Sequence, residues 1–227
     1  MAAFSMEKAT MAIETQGTKL GIQSSTGSVS VTFNATTHKI IRAAGDWTAT
    51  FAVGDIVTTS DTDNPGPFFI SALTATDMTV TGNAEGTVDA DMTTDAVAAS
   101  FTVTGYKPIG EITDFSGPGG SAAVINASSL DSIRQEKLMG LPDEGQISFS
   151  LNFVPGNAGQ VAFRAARASR AETNFALVFS DASATAPATN ATFAGFALEF
   201  SVAGAVDDKV SGSATIEITG AVTWSDE

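Results

Sequence analysis

Apolar and polar residues alternate over short stretches of the chain, and this period of two predicts β-strands. In the first half, turn residues interrupt the alternation about every ten positions, most clearly at residues 61–67, DTDNPGP. The predicted strands lie at residues 29–33, 38–42, 51–57, 68–73, 78–81 and 101–104. Short strands at this spacing are typical of a β-sandwich or a small barrel.

The second half of the chain carries longer alternations. In the strand predicted at 146–153, one face holds Ile147, Phe149, Leu151 and Phe153, and the other holds Ser148, Ser150 and Asn152. The segment 175–179 is apolar on both faces, which predicts burial from both sides. Two further strands alternate at residues 196–202 and 214–220, and we expect Phe196, Leu198, Phe200 and Val202 to share one face. Residues 127–144 show little periodicity and are predicted to form a long polar loop.

One helix is predicted, from Asn157 to Ala171, with Asn157 as its N-cap. Its apolar stripe is expected at Val161, Ala165 and Ala168. A neighbouring stripe contains Arg164, Arg167 and Arg170. Two interpretations of these arginines stay open: a solvated helix face, or a contact with an acidic partner such as another copy of this acidic chain.

Charge divides the chain into three parts. Residues 1–23 are neutral overall, whereas residues 24–104 and residues 105–227 each carry a net charge of −7, the former with only two cations. We therefore predict an N-terminal arm and first strand at 1–23, an inserted β domain at 24–104 and a main domain at 105–227. A pairing of the strand at 18–23 with the strand at 109–114 would make the middle part an insertion between neighbouring strands.

Composition excludes several functions. Lys and Arg number 11 against 25 Asp and Glu, a net charge of −14 that disfavours binding to nucleic acid through its phosphates. The chain has no Cys and one His, which leaves no thiolate zinc site and no two-His metal site. We expect that His38 lies on the polar face of a strand and that the acidic turn at 61–64 is solvated rather than a calcium loop. No catalytic motif, no export signal and no apolar run of the ~20 residues that span a bilayer are found, so no enzyme activity and no cofactor are predicted.

The order of these features resembles the major tail tube protein of lambda-like bacteriophages with long non-contractile tails. The resemblance runs from Ile109 to Trp224. It rests on the strand and Gly-Pro-Gly turn at 109–119, the long loop at 127–141, the strand at 143–151, the Pro-Gly helix entry at 154–160, the strand at 175–181, the Phe-Ala-Gly-Phe strand start at 193–196 and the closing strand at 216–220. The middle part, residues 24–104, departs from the family pattern, and we expect it to lie on the outside of the tube.

The resemblance implies a mainly β fold, a β-sandwich or barrel with one flanking helix. It further implies a structural subunit that forms hexameric rings, stacked into a tube through which viral DNA passes. The implied location is the virion, after assembly in the host cytoplasm, and the implied partners are tape-measure, terminator and baseplate or tip proteins. The long loop and the N-terminal arm would bridge subunits and rings.

Two sets of residues are candidates for these roles. For the self-assembly interface they are Arg134, Glu136, Lys137, Arg164, Arg167 and Arg170. For the lumen they are the polar strand positions Ser148, Ser150, Asn152, Glu199 and Glu217, although the same face could equally point outwards.

Two alternatives remain open at this stage. One is a secreted or surface β-sandwich that acts as an adhesion or carbohydrate-binding module, for which exposed aromatic platforms are expected although the chain has only two Trp and one Tyr. The other is a related phage tail protein, such as a terminator or a contractile-tail tube.

Overall fold

Strands dominate the computed structural model, which describes residues 15–83, 85–129, 133–183 and 186–225. Strands hold 54% of the chain and helices 7%, which confirms the predicted mainly β class. The described elements in order are β1 (Lys19–Asn34), β2 (Lys39–Arg42), a 3-10 turn (Trp47–Ala49), β3 (Ile56–Thr59), β4 (Phe68–Leu73), β5 (Asp77–Thr81), β6 (Asp95–Pro108), β7 (Ile112–Ser116), β8 (Ser121–Asn126), β9 (Lys137–Asp143), β10 (Gln146–Asn152), α1 (Ala158–Ser169), β11 (Thr173–Val178), β12 (Asn190–Ala203) and β13 (Ser211–Trp224).

Six strands of the middle part close into a small barrel. Their order is β2-β5-β4-β3-β6-β1, and β2 also pairs with β1, so the sheet returns to its start. Trp47 lies at the centre of the barrel core, 1% exposed, and its indole N–H donates to the carbonyl oxygen of Thr76 at 3.0 Å. Five of the six predicted strands of this part are confirmed, whereas of the strand predicted at 51–57 only residues 56 and 57 belong to β3. The strands form a barrel rather than a sandwich.

A second core lies inside the remaining sheet, which runs β1-β11-β12-β13-β10-β7. Helix α1 inserts Phe163 into this core, where its ring meets Phe149 edge-on at 5.6 Å between centroids. The helix begins where Asn157 accepts from the backbone N–H of Gln160 at 2.9 Å, and it ends at Arg170 in a left-handed conformation, φ 56°. The predicted helix and its N-cap are confirmed.

Strands β1 and β6 belong both to the barrel and to the second part of the structure, which contains α1 and is called the helix-side body below. They pair from Gly21 opposite Pro108 to Phe33 opposite Asp95, so the backbone crosses from one core to the other without a flexible linker. Strand β11 is buried on both faces, as predicted: Phe175 and Leu177 join the helix-side core, whereas Ala176 and Val178 pack towards the barrel.

Two expectations from the sequence need correction. Residues 19–22 pair with β11 and with the end of β6, where the N–H of Ile109 also donates to the carbonyl oxygen of Leu20 at 2.8 Å, whereas β7 pairs with β10. Among the described residues, only the start of the segment 109–114 therefore lies beside the strand at 18–23. Residues 127–144 are also not one long loop, because β9 pairs with β8 in a separate two-stranded hairpin. The register shift between Ala122 and Val124, together with Gly140 and Pro142, weakens the period-two signal of this hairpin.

The predicted apolar stripe of α1 is wrong as well. Val161 is 44% exposed, and Ala165 and Ala168 are exposed too. The buried face instead contains Gly159, Gln160 and Phe163. A single large aromatic residue and a hydrogen-bonded glutamine fix the helix orientation here, and a stripe of small residues does not.

Two turn predictions also need correction. His38 lies in the turn before β2 with φ 50°, not on a strand. The acidic turn is solvated only at Thr62 and Asp63. Asn64 is 1% exposed, its side-chain amide donates to Asp61 at 2.7 Å, and its oxygen accepts from the N–H of Thr93 at 2.7 Å.

Candidate assembly edges and polar face

A mainly polar face covers the four adjacent strands β7, β10, β13 and β12, with Phe196, opposite Glu217 and 36% exposed, as an apolar position on it. Directly opposed residues in a sheet share a face, and Ser148 lies between Ser116 and Thr215, with Glu199 next to Thr215. One step along, Ser150 lies between Asp114 and Ser213. The same register pairs Asn152 with Ser211 and Gln146 with Glu217. The structure therefore brings all five candidate lumen residues onto one face.

Hydrogen bonds between polar side chains run across this face. Gln146 donates to the Glu217 carboxylate at 2.5 Å, and Asn152 donates to the Glu111 carboxylate at 3.1 Å. The hydroxyls of Ser201 and Ser213 lie 2.7 Å apart. Such hydrogen bonds restrict the conformations of these polar side chains and hold them against the sheet.

The charge of this face has one sign. Its described strand positions carry the carboxylates of Asp114, Glu199 and Glu217, while neither Lys nor Arg occurs among them. Attraction to phosphate requires clustered cations. The charge of this face therefore disfavours the attraction of phosphate groups.

Strand β12 bends at Leu198, and this breaks the predicted alternation. Ala197 pairs with Ile216 and Glu199 with Thr215, so Leu198 is the extra residue of a bulge. Phe200 packs against Phe163 at 6.1 Å, whereas Leu198 is 48% exposed. The prediction that Phe196, Leu198, Phe200 and Val202 share one apolar face is wrong, because the bulge changes the side on which later residues lie.

Two open strand edges flank the polar face. In the part of the chain that the structure describes, strand β7 ends the sheet and pairs with β10 alone. On the other flank, β11 pairs with β12 only from Asn190 to Gly195. Within the described residues, the part of β12 from Phe196 to Ala203 therefore has a neighbour on one side only. Open edges present unpaired N–H and C=O groups that accept another strand.

The three helix arginines have different surroundings. Arg164 lies over the rings of Phe153 and Phe200, at 5.5 and 6.0 Å, and donates to the carbonyl of Pro155. Arg167 Nε donates to the carbonyl of Leu198 at 3.1 Å, and Arg170 ends the helix. Arg167 and Arg170 line a groove of about 500 Å³ against Phe196 and Leu198, beside the open edge of β12.

The other interface candidates lie on the β8–β9 hairpin. Arg134, Glu136 and Lys137 are exposed there, and the N–H of Glu136 donates to the Ser128 hydroxyl at 2.9 Å. The structure thus places the predicted interface residues on two separate elements, the hairpin and α1. Residues 130–132 of the predicted loop lie outside the described residues.

Sequence reasoning missed the apolar character of this hairpin. Its exposed apolar side chains are 52% to 90% exposed and comprise Val124, Ile125, Leu138, Met139 and Leu141. Large apolar side chains on both strands of an uncovered hairpin mark an interaction site. The signal was present in the sequence as apolar residues scattered in a polar stretch.

Other kinds of site find little support. Across the described ranges, no group of three or more His, Asp or Glu residues could hold a metal ion. Trp47 and Tyr106 are buried, and Trp224 is half-buried and stacks on Phe179 at 6.1 Å between ring centroids. In the part of the chain that the structure describes, no helix is long and apolar enough to cross a membrane.

Comparison with known families identifies the class. The sequence model of the family described as phage tail tube, TTP, lambda-like matches residues 92–227. This match covers more than half of the chain, so the chain belongs to the lambda-like phage tail tube family. The family is a structural class of the phage virion and not a class of enzymes. No curated protein matches the chain.

Proposed function

We propose that six copies of this chain close into a ring, that rings stack into the tail tube, and that viral DNA crosses the hole during ejection. The single observation that carries this proposal is the cation-free polar face with an open strand edge on each flank. Two different edges on one subunit favour head-to-tail contacts, which generate a closed ring when the rotation fits.

The strand directions are compatible with such closure. Strands β12, β13, β10 and β7 are antiparallel in succession. The β7 strand of one copy therefore runs antiparallel to the β12 strand of the next copy, and the alternation continues around the ring. Closure removes both open edges, which otherwise invite uncontrolled pairing.

The size of the resulting hole supports this arrangement. Four strands from each of six copies give a circumference of about 150 Å at ~4.8 Å spacing and ~40° tilt. The backbone diameter is then about 48 Å, and ~5 Å of side chain on each wall leaves a hole of roughly 38 Å. A double helix passes through such a hole without wedging.

The polar face then lines the hole, and the barrel of residues 24–104 lies outside as an inserted domain. Ser148, Ser150, Asn152, Glu199 and Glu217 contact the passing DNA through water and do not hold it. The helix groove at Arg167 and Arg170 and the hairpin with Arg134, Glu136 and Lys137 contribute to contacts between copies. Tape-measure, terminator and baseplate or tip proteins occupy the inside and the two ends of the tube.

Electron microscopy of the purified chain, together with sedimentation, tests the proposal. Six-membered rings or hollow tubes are the expected species as concentration rises. A strictly monomeric chain at all concentrations, with or without a tail initiator complex, contradicts the proposal.

A further inference from the structure

A third open strand edge lies in the middle of β1, where this strand passes from the helix-side body into the barrel. On the side of β1 away from β6, β11 pairs with Lys19–Ile22 and β2 pairs with Val31–Asn34. Between these registers, Gln23–Val29 has no strand partner on that side among the described residues. The side-chain amide of Asn174 donates to the side-chain oxygen of Gln23 at 2.6 Å, so the segment without a contact to β11 begins at Ser24.

Grooves on this side provide room for an added strand. One, of about 360 Å³, is lined by Ser24, Thr26 and Glu172. The other, of about 240 Å³, is lined by Ser28, Val29, Phe51 and Arg42. In the described part of the chain the Nε of Arg42 is buried without a hydrogen-bond partner. The guanidinium is otherwise engaged within the chain: Nη1 donates to the carbonyl oxygen of Asp46 at 3.2 Å, and the group lies over the Trp47 ring at 5.0 Å, so Arg42 is held at the end of the groove.

The β8–β9 hairpin is close to this edge in length and has an open strand edge of its own. Strand β9, Lys137–Asp143, has seven residues, one more than the open segment Ser24–Val29, and within the described residues it pairs with β8 alone, so its outer edge is open there. Its apolar residues Leu138, Met139 and Leu141 are 60% to 90% exposed, and the grooves contain Val29 and Phe51 to cover them. Pro142 has no N–H, so the pairing segment ends at Leu141.

Charge determines the direction of pairing. Glu172 lies at the start of the open edge and Arg42 at its end. A parallel β9 places Lys137 near Glu172 and Asp143 near Arg42, whereas an antiparallel β9 brings like charges together at both ends. Like charges in contact are destabilising.

We propose that β9 of a second copy adds in parallel to the open edge of β1 at Ser24–Val29, with Leu141 near Ser28. This pairing rests on the proposed tube, in which the hairpin bridges neighbouring copies, and it names the surface that receives the hairpin. The edge exists because β1 continues from the helix-side body into the barrel, so the middle part contributes to assembly in addition to being displayed.

Disulfide trapping tests the pairing, since the chain has no Cys of its own. Separate populations carry Ser28→Cys and Leu141→Cys, and they are mixed, assembled and oxidised. We expect a crosslinked dimer of these two populations. Its yield should be several-fold higher than the yield of the dimer that forms when Ser28→Cys is mixed with Leu138→Cys. Val206→Cys, at a residue that is 92% exposed, serves as the control for random collision.

Three other results overturn the pairing. Tubes that form normally without the Ser28–Leu141 crosslink show that the hairpin docks elsewhere, and a dominant Ser28–Leu138 crosslink shows the antiparallel direction. A dominant crosslink from Ser28→Cys to Ala3→Cys shows that the N-terminal segment occupies the edge. If the unmodified chain makes neither rings nor tubes, the proposed function fails, and this inference fails with it.

Discussion

The Nε of Arg167 lies 3.1 Å from the carbonyl oxygen of Leu198, the residue at which β12 bulges. This bond ties the last turn of α1 to the open edge of β12. It leaves the rest of the guanidinium in the groove next to that edge, beside Arg170. A cationic groove therefore lies where the next copy of an acidic chain is proposed to arrive.

Charge reversal at Arg167 and Arg170 is expected to stop ring formation while the subunit stays folded. Both side chains are exposed, so the substitution of either by Glu costs the fold no more than about 0.5 kcal/mol. The reversed groove repels the acidic neighbour. Sedimentation with circular dichroism measures both effects, and normal tube growth by the double variant contradicts the role of the groove. Lys at both positions is the matched control and should assemble.

Arg164 is expected to behave differently from the other two arginines. Its guanidinium lies over Phe153 and Phe200 and donates to two backbone carbonyls. Arg164→Glu removes a cation–π contact and should lower the free energy of unfolding by about 1 kcal/mol. Urea unfolding of the single variants measures this cost. A loss in Arg167→Glu equal to that in Arg164→Glu contradicts the distinction.

Cations placed on the polar face are expected to make the tube retain DNA. The double variant Glu199→Lys and Glu217→Lys should still form tubes, but these tubes should bind DNA. The binding should weaken with salt, and each phosphate contact should add about −0.9 to the slope of the logarithm of the DNA binding constant against the logarithm of the salt concentration. Retention of DNA on immobilised tubes at several salt concentrations measures this effect. The control pair Glu199→Gln and Glu217→Gln removes the charge without adding a cation. Equal retention by the Lys and Gln pairs shows that this face does not line the hole.

Gln160 is expected to be essential for the fold despite its polarity. It is fully buried, accepts from the N–H of Val154 at 3.0 Å, and donates to the carbonyls of Gly110 and Asn152 at 2.9 and 3.0 Å. Gln160→Met keeps the volume but leaves three backbone groups unpaired, at a cost of about 3 kcal/mol. Thermal unfolding measures the cost. The exposed Gln135→Met is the control, and equal stability of the two variants contradicts this role.

The barrel is expected to lose a small part of its stability in acid. A hydrogen bond from Lys39 Nζ, 3.0 Å from the carboxylate, holds the pKa of Asp77 below its usual value. A carboxyl whose folded pKa is depressed stabilises the fold above the unfolded pKa, so this contribution is present at pH 7 and is lost as the pH falls below about 4.

Asp77→Asn should therefore be less stable than the unmodified chain at pH 7, and the difference should shrink at pH 3. The difference is about 1 kcal/mol or less, because both partners are roughly one-third exposed. Urea unfolding at the two pH values measures it, with the exposed Asp91→Asn as the control. A difference that stays constant between pH 7 and pH 3 contradicts the linkage.

The sequence predicted those elements whose signal is local. The alternation of Ile147, Phe149 and Leu151 with Ser148 and Ser150 was sufficient for β10, because the apolar residues of this strand are buried on one face. The N-cap at Asn157 and the two-sided burial of β11 were predictable for similar reasons.

Features that depend on tertiary context could not be predicted from the pattern. The bulge at Leu198 reverses the faces of β12 without any Gly or Pro to mark it. The orientation of α1 depends on Phe163 and Gln160, which contact strands distant in sequence, so the stripe at Val161 carried no information about burial. The β8–β9 hairpin lacks the alternation of a half-buried strand because neither of its faces is covered within one subunit.

A reconstruction of self-assembled tubes by electron cryo-microscopy tests the central claim most directly. The account predicts a continuous antiparallel barrel around the hole, with β7 of each copy beside β12 of the next and with Ser148, Glu199 and Glu217 facing inwards. A tube in which these side chains face outwards, or in which the subunits meet without joining these two edges, contradicts it.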